Sequence, residues 1–235
     1  MNKIQLSNIL KVITDPMHGK EFYDRNSLTD LLNEVDSIVS NIEIFDDTPQ
    51  ANIIQIINDY IKNNVKFRRE YLDKFYGISD TFDEGELIYR TAYAALIKKE
   101  AVCSGFTEAM RVLLAYYGIE SKTIIAKLPR RCHNPTCHYL LATFLNDGSI
   151  KILDPERQIY CERKGYDFQE YLNKLEFAIP NEICSMNKLA NDGVGMFAND
   201  YLARNDVKKA NGIKEVSKLL EQIQNIKEID GDIEK

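Results

Sequence analysis

The chain has 235 residues, 44% hydrophobic and 28% charged, enough for one sizeable core or a core with a helical annex. A formal net charge of −6 argues against nucleic acid or an anionic membrane as the main partner, since both recruit clustered Lys and Arg. No stretch approaches the roughly eighteen uninterrupted apolar residues of a membrane span. The opening "MNKIQLSNILKVITDPMHGKEF" lacks signal-peptide character, so a cytoplasmic location is expected, with signal-free export left open.

Residues 1–48 read as helical pieces. "SLTDLLNEVDSIVSNI" sets Leu28, Leu31, Leu32, Val35, Ile38, Val39 and Ile42 at three-and-four spacing, with Ser27 as the expected N-cap and Asp30 three residues on. "DDTPQ" at 46–50 breaks the pattern. A second helix, "ANIIQIINDYIKNNVKF", puts Ile53, Ile56, Ile57, Tyr60, Ile61 and Val65 on one stripe. Residues 77–85 read as a loop, and 86–99 as a helix by propensity. Next, Phe106, Met110, Leu113, Leu114 and Tyr117 form one apolar helix face, ended by Gly118 as a C′ residue able to take positive φ.

From Lys122 the pattern changes. "KTIIAKL" is short and β-branched, and "HYLLATFLNDGSIKILDP" is two strand-like runs around Asn-Asp-Gly, a strong hairpin signal. After Asp154 the chain turns helical again. A last helix over 212–228 carries Ile213, Val216, Leu219, Leu220, Ile223 and Ile226, a seam for core packing or for a partner. Helices, a short sheet and helices again indicate an α+β protein, and strands that follow one another in the chain favour antiparallel pairing.

Cys103 stands at the head of the helix that ends at Gly118, in "KKEAVCSGFTEAMRVLL". With Ser104 as a natural N-cap, the thiol sits at or just outside the first turn, where unpaired N–H groups favour thiolate over thiol. The same groups suit an oxyanion forming beside the sulfur, and small Ser104 and Gly105 would leave that sulfur accessible. Five cysteines (103, 132, 137, 161, 184) are an odd number at irregular spacing, which suits reduced thiols better than a disulfide framework.

A thiol nucleophile needs a base, and the base an orienting group. Of three histidines, His18 lies in a Pro/Gly-bounded turn and His133 in a loop, whereas His138 opens a strand and is the best base. Asp154, ending the apolar run "SIKILDP", is the matching acid, with Pro155 stopping the ladder behind it. A two-residue turn would put Asp154 on the wrong face from His138. A three-residue loop, Asn146-Asp147-Gly148 with Gly148 left-handed, pairs Leu145 with Ser149 and Leu140 with Asp154, which makes His138 and Asp154 diagonal neighbours on one face.

"AYAALIKKEAVCSGFTEAMRVLLAYYGIES", then a histidine opening a strand, then a strand ending in "DP", resembles the transglutaminase-like superfamily over residues 53–155. That resemblance implies a papain/transglutaminase-like core, with the nucleophile helix packed on a small antiparallel sheet. It implies an N-terminal helical extension over 1–50, a catalytic core over 51–165 and a C-terminal helical region over 166–235. It implies Cys103 as nucleophile, His138 as base and then acid, Asp154 orienting His138, and Tyr93 lining the cleft. It points to peptide or protein amide bonds as substrate, with no cofactor. Two departures stand out: Leu140 occupies a position often aromatic in the family, and no acidic counterpart of the calcium sites of animal transglutaminases is visible.

Hydrolysis to a peptidase or amidase, deamidation and transglutamination share this triad, with hydrolysis favoured for a small single-domain member. Two other classes stay open. "CHNPTCH" offers Cys132, His133, Cys137 and His138 to a zinc ion, at an unusual spacing; pairing of Cys132 with Cys137 as a redox-sensitive clip is the alternative use of the two thiols. The other class is a non-catalytic binding module, in which the fold persists without turnover.

Overall fold

The structure, a computed structural model, describes residues 1–13, 24–70, 84–128, 137–180 and 207–233. Along them run α1 (Lys3–Ile13), α2 (Arg25–Asn41), α3 (Gln50–Asn64), β1 (Lys66–Phe67), a 3-10 stretch (Glu84–Arg90), a π turn (Ala94–Lys98), β2 (Glu100–Ala101) and α4 (Cys103–Tyr116). Then come β3 (Glu120–Lys127), β4 (Cys137–Phe144), β5 (Ile150–Leu153), α5 (Pro155–Lys164), α6 (Phe168–Asn173), β6 (Glu176–Pro180), β7 (Val207–Asn211) and α7 (Gly212–Ile233). The fold is α+β, in two compact units, Met1–Glu120 and Ser121–Lys235. The division falls at the head of β3, away from the expected borders at 50 and 165.

In the first unit α1, α2, α3, the 3-10 stretch, the π turn and β2 all pack on α4. The apolar positions of α4 are expected to cover one face, yet every residue from Ser104 to Ala115 is buried. Two of these are charged. Arg111 Nη1 donates to Glu108 Oε1 at 3.1 Å, so each ion is paired where water is excluded. Because α1, α2 and α3 all pack on this helix, α1 and α2 contribute to the unit's core. Ile9 of α1, Leu31 and Val35 of α2, and Ile57 and Ile61 of α3 are fully buried. Burying one such side chain contributes roughly 1.5–3 kcal/mol.

Local chemistry sets the helix ends. Gly118 has φ +70, its N–H bonds Ala115 O, and the Ile119 N–H bonds Leu114 O, the double closure that a left-handed glycine permits. α2 starts three residues ahead of expectation: Asp24 is the cap, its Oδ1 accepting the Ser27 N–H at 2.7 Å, and Ser27 adds its hydroxyl to the same carboxylate. The α-helix expected over 86–99 is replaced by the 3-10 stretch and the π turn, with Lys99 at φ +57 closing the latter. The expected loop at 77–85 lies largely outside the described residues. β1 and β2 pair in parallel, and Lys66 N–H to Lys99 O (2.8 Å), Arg68 N–H to Ala101 O (2.9 Å) and an Arg68–Glu100 ion pair (2.9 Å) clamp the two segments.

The second unit is built on a sheet of order β5-β4-β3-β6-β7, in which β4–β5, β3–β6 and β6–β7 pair antiparallel. β6 and β7 were not expected from the sequence, so region 166–235 supplies two strands as well as helices. "VKKAN" is polar and short, as an edge strand tolerates, and carries no alternation to read. α7 packs against β5, β6 and β7 with Val216, Leu220 and Ile223 buried, so its seam serves this core. The β4–β5 register runs from Leu141 opposite Leu153 to Phe144 opposite Ile150. Leu145 N–H bonds Ser149 O, Gly148 N–H bonds Leu145 O, and Gly148 has φ +79, so the hairpin loop has the three residues expected.

Gly105, in the first turn of α4, has no room for a side chain: a Cβ would lie 2.6 Å from Tyr89 O and 2.8 Å from Ala101 Cβ. Gly105→Ala is expected to cost about 1–3 kcal/mol of unfolding free energy, as overpacking does. Urea denaturation followed by circular dichroism measures it.

Candidate active site

The register just described places Leu140 opposite Asp154, and His138 diagonal to it on the same face. There His138 Nε2 and Asp154 Oδ2 are 2.6 Å apart, a charge-assisted hydrogen-bond distance, with each side chain only 2% exposed. Asp154 does a second job. Its Oδ1 accepts the Arg157 N–H at 3.1 Å, which caps α5, while Pro155 at the first helical position ends the strand. Both carboxylate oxygens are thus held, and the imidazole faces a fixed partner. With Nε2 bonded to the carboxylate, Nδ1 is the ring nitrogen through which a proton would be exchanged.

Glu156 joins this pair. Ligand atoms of His138, Asp154 and Glu156 lie within 4.8 Å of one another, the closest such group among the described residues. Two ligands at a tetrahedral zinc ion would stand roughly 3.4 Å apart, so the Nε2–Oδ2 separation is that of a shared proton and not of a bridging ion. Cys132 and His133 of the rival zinc set lie outside the described residues. Burial pushes the Glu156 carboxyl above its usual range, with Arg157 and His138 pulling it back and Asp154 adding to the rise. Burial likewise pushes up the thiol of Cys161 and, more strongly, the phenol of Tyr171, both of which feel Asp154, Arg157 and Glu156. An acidic residue in a first helical turn reads as a solvated complement to the helix dipole, so nothing in the sequence singles out Glu156.

Cys103 stands in the first unit, at the first residue of α4, and is half-buried with a free thiol. The cap is Val102 and not Ser104: Val102 is extended, its N–H bonds Tyr89 O, and no side chain caps this end. Phe106 N–H takes the Val102 carbonyl, and Thr107 Oγ1 donates to Cys103 O at 2.9 Å. The N–H groups ahead of Phe106 therefore have no partner within the helix. Ser104 and Gly105 are both buried, so their small size serves packing and not access to the sulfur. Tyr93, half-buried, precedes the π turn in the same unit. Leu140 is fully buried in the core of the second unit.

The structure thus joins His138 to Asp154 in one unit and sets Cys103 at a helix N-terminus in the other. This is an α+β protein with a thiol at the head of a helix and a histidine–carboxylate pair at the end of a hairpin. Two solved structures are partly similar to it. A TGase shares 12% identity over 57% of this chain and 33% of its own, with a TM-score of 0.45. A protein from Cytophaga hutchinsonii, printed as "a Putative Cysteine Protease", shares 15% identity over 57% of this chain and 43% of its own, with a TM-score of 0.37. The matched part spans less than half of either protein. No protein-family model and no curated protein sequence matches the chain, and no helix among the described residues is long and apolar enough to cross a membrane.

Two outcomes follow from this geometry. Asp154→Ala removes the α5 cap and leaves a buried imidazole without its partner, for a loss of roughly 2–4 kcal/mol; Asp154→Asn, whose amide oxygen still caps, loses less. Urea denaturation of both variants checks the order. For Glu156 the folded-state pKa lies above the unfolded one, so its contribution is intact below the ordinary carboxylate range and is lost as pH rises toward the folded value. Glu156→Gln is expected to exceed wild type in urea midpoint at about pH 8, with the gap closing toward about pH 4.

Proposed function

We propose that this chain is a thiol enzyme acting on peptide or protein amide bonds, with Cys103 as nucleophile, His138 as base and then acid, and Asp154 orienting His138. The observation that carries the reading is the 2.6 Å bond between His138 and Asp154, because a buried carboxylate fixed to a ring nitrogen orients the imidazole as the base a thiol nucleophile needs. The Cys103 thiol gives its proton to His138 Nδ1, and the thiolate attacks the amide carbonyl carbon. The oxyanion of the tetrahedral intermediate is stabilised by first-turn N–H groups of α4. The C–N bond then breaks as the imidazolium returns its proton to the departing amine, which leaves a thioester on Cys103. Water completes hydrolysis; an amine in its place completes transamidation. The proposed outcome is hydrolysis, as a cysteine peptidase or amidase, with deamidation and glutamine cross-linking as alternatives. Tyr93 is proposed to line the cleft.

A second reading has one specific support. His138 and Asp154 are each 2% exposed, as suits a polar pin inside a non-catalytic binding module.

Iodoacetamide at neutral pH separates the two. Under the enzyme reading Cys103 is alkylated faster than Cys161 and the other cysteines, and His138→Ala slows it by about 10²–10⁴, the range of base assistance. Equal rates in wild type and His138→Ala would overturn the enzyme reading. Ammonia release and new amine termini from a peptide library, with and without a primary amine, then separate hydrolysis, deamidation and transamidation.

A further inference from the structure

Glu156 lies two residues beyond Asp154, in the first turn of α5, and is 8% exposed. A carboxylate oxygen of Glu156, an oxygen of Asp154 and a ring nitrogen of His138 lie within 4.8 Å of one another. Arg157 Nε is 2.9 Å from Glu156 Oε2, near enough to pair as ions but off the line of a hydrogen bond. Three further titratable groups among the described residues bear on this cluster. Cys161 of α5 is a buried thiol, Tyr171 of α6 is a buried phenol, and Asp167, capping α6, adds a carboxylate on the Cys161 side. Among the described residues the Arg157 guanidinium stands beside Glu156, and the His138 imidazole lies within 4.8 Å of both carboxylates, placed to balance their charge.

We propose that Glu156 is a positioning residue acting through His138: its carboxylate favours the imidazolium form of the ring beside Asp154 and so sets the pH at which His138 exchanges its proton. The proton is contested between the two groups, since burial drives Glu156 to keep one while His138 and Arg157 draw its carboxyl back toward ionisation. The catalytic consequence rests on the thiol-enzyme reading: there His138 is the acid–base partner of the nucleophile, so Glu156 shifts the pH profile of Cys103 alkylation.

The test is a pH titration of His138 by long-range nitrogen NMR in wild type, Glu156→Gln and Glu156→Asp. A carboxylate at this range is expected to hold the His138 midpoint up, so that Glu156→Gln lowers it by roughly 1–3 pH units, while Glu156→Asp, which keeps the charge, stays nearer wild type than Glu156→Gln does. An unchanged midpoint in Glu156→Gln overturns the proposal. A second measurement needs no variant to fold: the carbon-13 carboxyl resonance of Glu156 in wild type carries an inflection at the His138 midpoint, and a flat trace there overturns the proposal equally. The two readings fail separately. If Glu156→Gln lowers the midpoint but Cys103 alkylation ignores His138→Ala, the charge coupling stands and the thiol-enzyme reading falls. If the midpoint moves and the pH profile of alkylation moves with it by a similar amount, both stand.

Discussion

A buried imidazole held 2.6 Å from a buried carboxylate is the contact on which the second unit's geometry depends. Separately, each group would lose its hydration without return; together, each satisfies the other. The contact forms only if β4 and β5 are paired in one register, because a slip of one residue turns His138 to the opposite face of the sheet. Three local features enforce that register. Gly148 takes the left-handed conformation the loop requires, Pro155 stops the strand at Asp154, and the first turn of α5 claims the second carboxylate oxygen. Asp154 is rigid because two elements pull on it, and a rigid carboxylate selects one orientation of the ring.

The first unit prepares its thiol by a different route. Here the helix is the constant, and everything else in the unit packs around it. The head of α4 is tied down by backbone alone, through the Val102 N–H on Tyr89 O, with Gly105 pressed against the same carbonyl. Because no side chain caps the helix, its partial positive charge is left to act on whatever stands at its end, and Cys103 stands there. The buried Glu108–Arg111 pair one and two turns further in satisfies its own charges locally.

Much of this was legible in the residues, and the gaps have physical causes. Alternation on either side of Asn-Asp-Gly was enough to derive the hairpin register, because period-2 patterning and turn chemistry agree there. The Gly118 stop of α4 was readable for the same reason, with one residue type demanded by one conformation. Caps were misplaced, to Ser27 in place of Asp24 and to Ser104 in place of Val102, because several nearby side chains were chemically able and only the entering backbone decides among them. The 3-10 and π segments read as an α-helix in sequence, since all three share helix formers and apolar spacing. β6 and β7 escaped notice because their short runs gain stability from neighbours distant in sequence. Glu156 escaped because burial of a helix-start acid is decided by what packs over it.

The parallel clamp of β1 on β2 carries one more consequence. The chain leaves at Arg68 and returns at Glu100 to the same place, so whatever lies between is a closed excursion whose ends are already fixed. For such an excursion a doubling of length costs only about 0.6 kcal/mol in closure entropy. The described return leg does not share that freedom: Tyr89 O holds the Val102 N–H, and Ala92, Ala94, Ala95 and Leu96 are fully buried, so a change there reaches the head of the helix that follows.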